Sequence, residues 1–143
     1  MSVMQHLTHI YLVRHAQKRS DFGDPGLTAL GLKQAQITAT YFAKIGIDTI
    51  CSSPLLRTRE TVVFIARETN CELEIDERLT ERANWGDLKG QTFPEFEQMW
   101  VRATNDRDWH PPIGDSSRHA GMRMTHAVFH MAHQQKRHVV LVT

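Results

Sequence analysis

Short apolar strands alternate with amphipathic helices along the whole chain, and this order is the feature that most limits its fold. Strands are predicted at "HIYLV" (9–13), "DTICSS" (48–53), "CELEID" (71–76) and "HVVLVT" (138–143), where β-branched and other apolar residues are concentrated. Strands that alternate with helices predict a parallel sheet with helices on both faces. We therefore expect an α/β fold of three layers, α/β/α, in which the middle layer is a mostly parallel sheet.

Helix boundaries are indicated by capping residues. The first helix is expected to begin after the N-cap Thr28 and to end at Gly46. Its core-facing stripe would consist of Leu32, Ala35, Ala39 and Phe42. Ser53 as N-cap, with Pro54 at the first helical position, predicts a second helix that runs to residue 69. Two more helices are predicted at 92–103 and 116–135.

Composition limits the class of protein. A chain of 143 residues with 41% hydrophobic residues is expected to form one domain over residues 1–143. It has no apolar run of the ~18 residues that cross a bilayer and no signal-peptide pattern, so we expect a soluble, cytoplasmic protein. Its net charge of +1 and lack of a basic, aromatic cluster argue against nucleic acid binding. Cys51 and Cys71 are expected to be reduced packing residues.

Charged residues follow the predicted strands where an open α/β sheet binds its ligands. Arg14 and His15 come directly after the first strand, Arg57 falls in the first turn of the helix after the second, and Glu81 follows the third. That helix start would also offer backbone N–H groups to an anion. Two arginines could hold a phosphoryl group, an imidazole could attack phosphorus, and a carboxylic acid could protonate the leaving oxygen.

Five segments in the same order resemble the motifs of one family, the histidine phosphatase or phosphoglycerate-mutase-like superfamily. They are "LVRHA", "LTALGLKQA", "SSPLLRTRETV", "LTERANWGDLKG" and "GDSS". The resemblance implies that His15 is the phosphorylated nucleophile, that Arg14 and Arg57 bind the phosphate, and that Glu81 is the general acid. Asp87 is a weaker candidate, which we interpret as shaping the turn in its loop.

Two departures from the family pattern affect the interpretation. Ala16 stands where glycine is commoner, and Gln17 and Lys18 lack the Glu-Ser pattern of the glycolytic mutases, which favours a phosphatase. The family's second catalytic histidine follows its last central strand, one residue beyond Thr143. We therefore expect a truncated domain that lacks this histidine and the following helix and strand. The apolar face so exposed would favour a homodimer or aggregation.

The expected activity is that of a phosphomonoesterase without metal or cofactor, acting through a phosphohistidine at His15. Its substrate would be a small phosphorylated metabolite or a phosphoprotein, and inorganic phosphate should bind. One alternative is a phosphomutase of the same family. The other is a catalytically impaired phosphate-ester-binding protein, because the second histidine is absent from the sequence.

The aromatic residues and the histidines in the second half of the chain could each be functional or structural. Between residues 84 and 115, the rings of Trp85, Phe93, Trp100 and Trp109 could line a specificity pocket or form lid and core, and we favour core packing for Trp100. The fourth helix carries a histidine arc beside an apolar face of Ala120, Met124, Ala127 and Met131. The arc consists of His119, His126, His130 and His133. A pair such as His126 and His130 could bind a transition metal, but no acidic or cysteine ligand lies at a matching position, so we favour a solvated face and assign no metal site. His6, His9, His110 and His138 are also expected at the surface.

Overall fold

One parallel sheet flanked by helices forms the part of the chain that the computed structural model describes, residues 7–143. Its strands are β1 (His9–Val13), β2 (Thr49–Ser52), β3 (Leu73–Ile75) and β4 (His138–Val142). Its helices are α1 (Ala29–Phe42), α2 (Leu56–Thr69), α3 (Phe93–Asn105) and α4 (Ser117–Ala132), with a 3₁₀ turn at Glu77–Leu79. The expected α/β fold is confirmed.

The strand order β1-β4-β2-β3 places the last strand beside the first. Strand β4 pairs in parallel with β1, from His9 opposite His138 to Val13 opposite Val142. It also pairs with β2, where Ser52 lies opposite the same Val142. The carboxyl ends of three strands therefore meet at one edge of the sheet.

Side chains of β4 alternate between two cores, as expected for a sheet buried on both faces. Val140 and Val142 pack in a cluster with Ala39 and Phe42 of α1 and with Val62 and Ile65 of α2. Val139 and Leu141 pack on the other face with Cys51 and with Ala127 and Met131 of α4. These contacts form the three predicted layers. One domain over residues 1–143 and dimerisation stay predictions.

Helix α1 begins as predicted but differs from the prediction in its buried face and its end. The Thr28 side chain accepts a hydrogen bond from the backbone N–H of Gly31 at 2.9 Å, which confirms the N-cap. Leu32 is 41% exposed and Gly31 is buried instead. A Cβ at Gly31 would lie 2.1 Å from the carbonyl oxygen of Gln17, so the loop after β1 approaches too closely for a larger residue. The helix ends at Phe42, before Gly46.

The prediction that Ser53 caps α2 is wrong. The N-cap is Leu55, and the first free N–H of the helix, that of Leu56, donates to the Asp24 carboxylate at 2.8 Å. The Ser53 hydroxyl is buried and accepts a hydrogen bond from the backbone N–H of Leu55 instead. A carboxylate 32 residues away along the chain thus does what a local cap was expected to do.

Both cysteines are free thiols, as expected. Cys51 is fully buried, and burial raises the pKa of its thiol to about 11, so it holds its proton at neutral pH. Cys71 is half-buried and its Sγ donates to the carbonyl of Ile47 at 2.9 Å. Among residues 7–143, no helix is long and apolar enough to cross a membrane, and no three potential ligand side chains are grouped to hold a metal ion.

The histidine arc of α4 is exposed, as predicted for His119, His126, His130 and His133. His138 is only partly at the surface, because the parallel register places its ring against that of the exposed His9, with the ring centroids 5.0 Å apart. His138 is half-buried and its Nδ1 lies 3.2 Å from the hydroxyl of Tyr11. His6 lies outside the described residues.

Two methionines of α4 allow a matched test of the layer arrangement. Met131 is 2% exposed against the sheet, and Met122 is 53% exposed. Met131→Ala should lower the free energy of unfolding by about 2–5 kcal/mol because it leaves a cavity. Met122→Ala should change it by less than about 0.5 kcal/mol. Urea denaturation followed by circular dichroism measures both values, and equal losses would contradict the packing of α4.

Candidate active site

A cavity of about 560 Å³ opens where the sequence predicted a site. All four candidate residues line it: Arg14, His15, Arg57 and Glu81. Their elements explain the convergence, because β1 ends at Val13, α2 begins after β2, and Glu81 follows β3 and the 3₁₀ turn. Asp87 does not line this cavity.

The backbone of His15 is held by the end of β4, and its ring is oriented by the next residue. The His15 N–H donates to the carbonyl of Thr143 at 2.8 Å. The ring Nδ1 lies 2.7 Å from the carbonyl oxygen of Ala16. A carbonyl can only accept, so Nδ1 carries the proton and, in the neutral ring, Nε2 carries the lone pair. Nε2 is therefore the nitrogen available as a nucleophile.

The surroundings of His15 favour the neutral imidazole. Burial lowers the pKa of His15 below its ordinary value, and the hydrogen bond to Ala16 opposes this change. The positive charges of Arg57, Arg14 and Lys18 lower the pKa further. At neutral pH the ring is thus mostly uncharged, which a nucleophile requires.

Arg57 is a nearly buried cation, with 3% of its surface exposed. Its Nη2 donates to Oδ1 of Asn84 at 2.8 Å, and its Nη1 lies 3.5 Å from a carboxylate oxygen of Asp24. Its Nε is buried without a hydrogen-bond partner among the described residues. Arg57 nevertheless lines the cavity, so its positive charge favours an anion there.

Asp24 and Asn84 were missed by sequence reasoning. Both come from loops, and no local pattern marks a residue that will meet Arg57 from 33 or 27 positions away. Asn84 is itself held by Asp87, whose carboxylate accepts from the Asn84 N–H at 2.6 Å. This contact agrees with the interpretation that Asp87 shapes the turn.

The expectation that the start of α2 offers free N–H groups to an anion is partly wrong. The N–H of Leu56 already donates to Asp24, and that of Thr58 donates to the carbonyl of Leu55 at 3.0 Å. A carboxylate of the chain itself therefore holds the helix start. The positive charge left for a ligand comes from Arg14, Arg57 and Lys18, which all line the cavity.

The loop that carries Glu81 is fixed from α4. Arg123 donates through Nη1 to the carbonyls of Arg78 and Thr80, at 2.8 Å each. Asp115, in the "GDSS" segment, orients Arg123 by accepting from its Nε at 2.6 Å. Glu81 is exposed, and its Oε1 accepts from the N–H of Arg82 at 2.9 Å. Arg14 is also exposed, so both side chains can reach a molecule that enters the cavity.

The chain belongs to the histidine phosphatase superfamily (branch 1), whose family model matches residues 10–143. It is 34% identical over 134 residues to a probable phosphoglycerate mutase, GpmB, of Escherichia fergusonii. The alignment covers 85% of this chain and 62% of that relative. The chain is 33% identical over 124 residues to a bifunctional protein of Mycobacterium tuberculosis, covering 76% of this chain and 33% of that relative. The chain thus spans less than two thirds of either relative.

Solved structures, including two of a phosphatase, share the fold. A mycobacterial glucosyl-3-phosphoglycerate phosphatase superposes with a TM-score of 0.76 at 25% identity, over 92% of this chain and 71% of that one. A complex of that phosphatase with inorganic phosphate gives 0.72 at 26% identity, over 92% and 70%. YhfR of Bacillus stearothermophilus gives 0.73 at 26% identity, over 93% and 71%. The predicted phosphoglycerate-mutase-like fold is therefore confirmed.

The titration of His15 tests the electrostatics of the cavity. Its pKa should lie below the ordinary 6.5, and the ring should become protonated only as the pH falls below that value. NMR of the chain labelled with ¹³C and ¹⁵N in histidine measures the midpoint. Lys18→Met should raise the midpoint because it removes a positive charge, whereas Lys33→Met, an exposed site outside the cavity, should not. A midpoint at or above 6.5 would contradict the described environment.

Proposed function

We propose that the chain carries the catalytic site of a phosphomonoesterase in which His15 is the nucleophile and Glu81 the general acid. Arg14 and Arg57 bind the phosphoryl oxygens. The observation that carries this proposal is the orientation of His15, whose Nδ1 is bonded to Ala16 inside a cavity that two arginines and a carboxyl group also line. The substrate would be a small phosphorylated metabolite or a phosphoprotein.

The proposed reaction has two steps. In the first, Nε2 of His15 attacks phosphorus, the bond between phosphorus and the ester oxygen breaks, and Glu81 gives its proton to the departing alcohol. In the second, water attacks the phosphorus of the phosphohistidine, Glu81 takes a proton from that water, and the bond between phosphorus and Nε2 breaks, which releases inorganic phosphate and neutral His15. The arginines lower the barrier by holding the negative phosphoryl oxygens while the phosphoryl group moves from the ester oxygen to nitrogen.

A phosphomutase remains the second candidate, because one relative is named a probable phosphoglycerate mutase. It differs only in the acceptor, since the phosphoryl group would return to a hydroxyl group of the substrate instead of going to water. Gln17 and Lys18 favour the phosphatase, because they differ from the Glu-Ser pattern of the glycolytic mutases. The third candidate is a protein that binds phosphate esters without turning them over.

Phosphate binding should depend on Arg57 and not on its neighbour in the helix. Arg57 lines the cavity and is buried, whereas Arg59 is exposed outside it. Charge-assisted hydrogen bonds are worth about 1.5–3 kcal/mol, so Arg57→Ala should weaken inorganic phosphate binding roughly 10- to 100-fold. Arg59→Ala should leave the affinity almost unchanged. Isothermal titration calorimetry of the chain with inorganic phosphate measures both.

Arg14→Ala provides a second variant, because Arg14 is exposed and its removal leaves no buried partner unpaired. It should weaken phosphate binding while thermal unfolding stays the same. Equal phosphate affinity in the wild type and in both cavity variants would place the anion site elsewhere and would contradict the proposed role of the two arginines.

The proposed intermediate is a phosphohistidine at His15. After incubation with para-nitrophenyl phosphate and a rapid quench in base, mass spectrometry should find an acid-labile phosphate on the peptide that contains His15. His15→Ala should lose the label and any release of para-nitrophenol. His126→Ala, which removes an exposed histidine of α4, is the matched control and should retain both.

Each outcome of the trapping experiment selects one candidate. Label at His15 with release of inorganic phosphate supports the phosphatase, and transfer to an added hydroxyl compound at the expense of inorganic phosphate supports the mutase. Phosphate binding without label supports the binding protein. Label on another residue, or full turnover by His15→Ala, would overturn the assignment of the nucleophile.

A further inference from the structure

The cavity has a second wall of a different chemical character from the charged wall that holds His15. Four aromatic side chains line it: Trp85, Phe93, Phe96 and Trp100. All four lie in or just before α3, so they share one segment of the chain. Trp100 was expected to pack in the core, but it lines the cavity. Trp109 was also a candidate for the pocket, but it does not line the cavity.

The four rings form a continuous chain of contacts. Trp85 meets Phe93 edge to face, with the centroids 5.2 Å apart, and it also meets Phe22 edge to face at 5.6 Å. Phe96 lies between Phe93 at 6.4 Å and Trp100 at 5.7 Å. Rings that pack on one another at these distances fix each other's orientation, so the wall exists before a ligand enters.

Polar groups next to the rings are already occupied by the chain. The indole N–H of Trp85 donates to the carbonyl of Gln91 at 3.3 Å. The Arg82 guanidinium lies over the ring of Trp100 at 3.8 Å, and its Nη2 donates to the Trp100 carbonyl and the Thr104 hydroxyl. Its Nη1 donates to the Ser117 hydroxyl. The wall thus presents ring surface and few hydrogen-bonding groups to the cavity.

We propose that this site takes phosphate monoesters of aromatic or similarly bulky apolar alcohols, with the phosphate on the arginines and the alcohol portion on the aromatic wall. The inference rests on the proposed function. A polyol or a carboxylate at the wall would lose water and gain few hydrogen bonds, whereas a ring would gain apolar burial and edge-to-face contacts. Phe93 is the most exposed of the four residues, at 47%.

Non-hydrolysable phosphonates separate binding at the wall from turnover. Methylphosphonate and benzylphosphonate share the phosphoryl head and differ by one phenyl ring, and phosphonoacetate replaces that ring with a carboxylate. In isothermal titration, benzylphosphonate should bind roughly tenfold more tightly than methylphosphonate, because the ring is buried against other rings. Phosphonoacetate should gain no comparable advantage.

Variants of the wall should remove the preference and leave phosphate binding intact. Phe93→Ala and Trp100→Ala should reduce the ratio between benzylphosphonate and methylphosphonate towards one, while inorganic phosphate binds as before. Trp109→Ala removes a tryptophan outside the cavity, which packs on Arg102 at 4.4 Å, and should keep the ratio. If circular dichroism shows that Trp100→Ala does not fold, Phe93→Ala decides alone, because its half-exposed ring is not part of the buried core.

The outcomes separate the failure of this inference from the failure of the proposed function. Equal affinity for the three phosphonates, with binding still dependent on Arg57, overturns the inference and leaves the phosphatase proposal standing. Tightest binding of phosphonoacetate also overturns it, in favour of an ester that carries an acid group. Absence of binding by phosphate and by every phosphonate contradicts both.

Discussion

The burial of the Arg57 guanidinium is the constraint on which the rest of the site depends. A cation with 3% of its surface exposed is costly unless it is paired, and the chain supplies two partners from separate loops, Asp24 and Asn84. Asp24 also caps α2, and Asn84 is fixed by Asp87. The loops that carry Asp24 and Asn84 are therefore held against one charge, and that charge lines the cavity, where it suits an anionic ligand.

The first turn of α2 also positions the nucleophile's loop, through the backbone. The carbonyl of Arg57 accepts a hydrogen bond from the Thr61 hydroxyl, and the oxygen of that hydroxyl accepts one from the N–H of Ala16. Ala16 is 9% exposed against this helix, which explains why a small residue follows His15. Arg57 and the residue that orients the His15 ring are thus held by the same helix.

The sequence predicted what depends on the order of strands, and it did not predict what depends on contacts between loops. Arg14, His15, Arg57 and Glu81 were found because the carboxyl ends of parallel strands meet at one edge. Asp24 and Asn84 could not be found in this way, because nothing local distinguishes them from other polar loop residues. The prediction of the α2 cap failed for the same reason. Ser53 fits the local pattern of an N-cap, but the N–H at the start of the helix donates to the distant carboxylate of Asp24 instead.

The two walls of the cavity are held by different parts of the fold. We therefore expect that the preference for one alcohol over another can change while the groups that bind the phosphoryl oxygens are kept. His15 and Arg57 are held by hydrogen bonds to β4, to α2 and to Asn84, so a change there disturbs the whole edge of the sheet. The rings of the aromatic wall contact one another within and before α3, and Trp85 is also joined to the Asp24 loop, because its carbonyl accepts a hydrogen bond from the N–H of Gly23 at 2.9 Å. We therefore expect substitutions of Phe93, Phe96 or Trp100 to change which alcohol fits while Arg14 and Arg57 stay in place. A family that shares one fold can in this way act on many different phosphate esters.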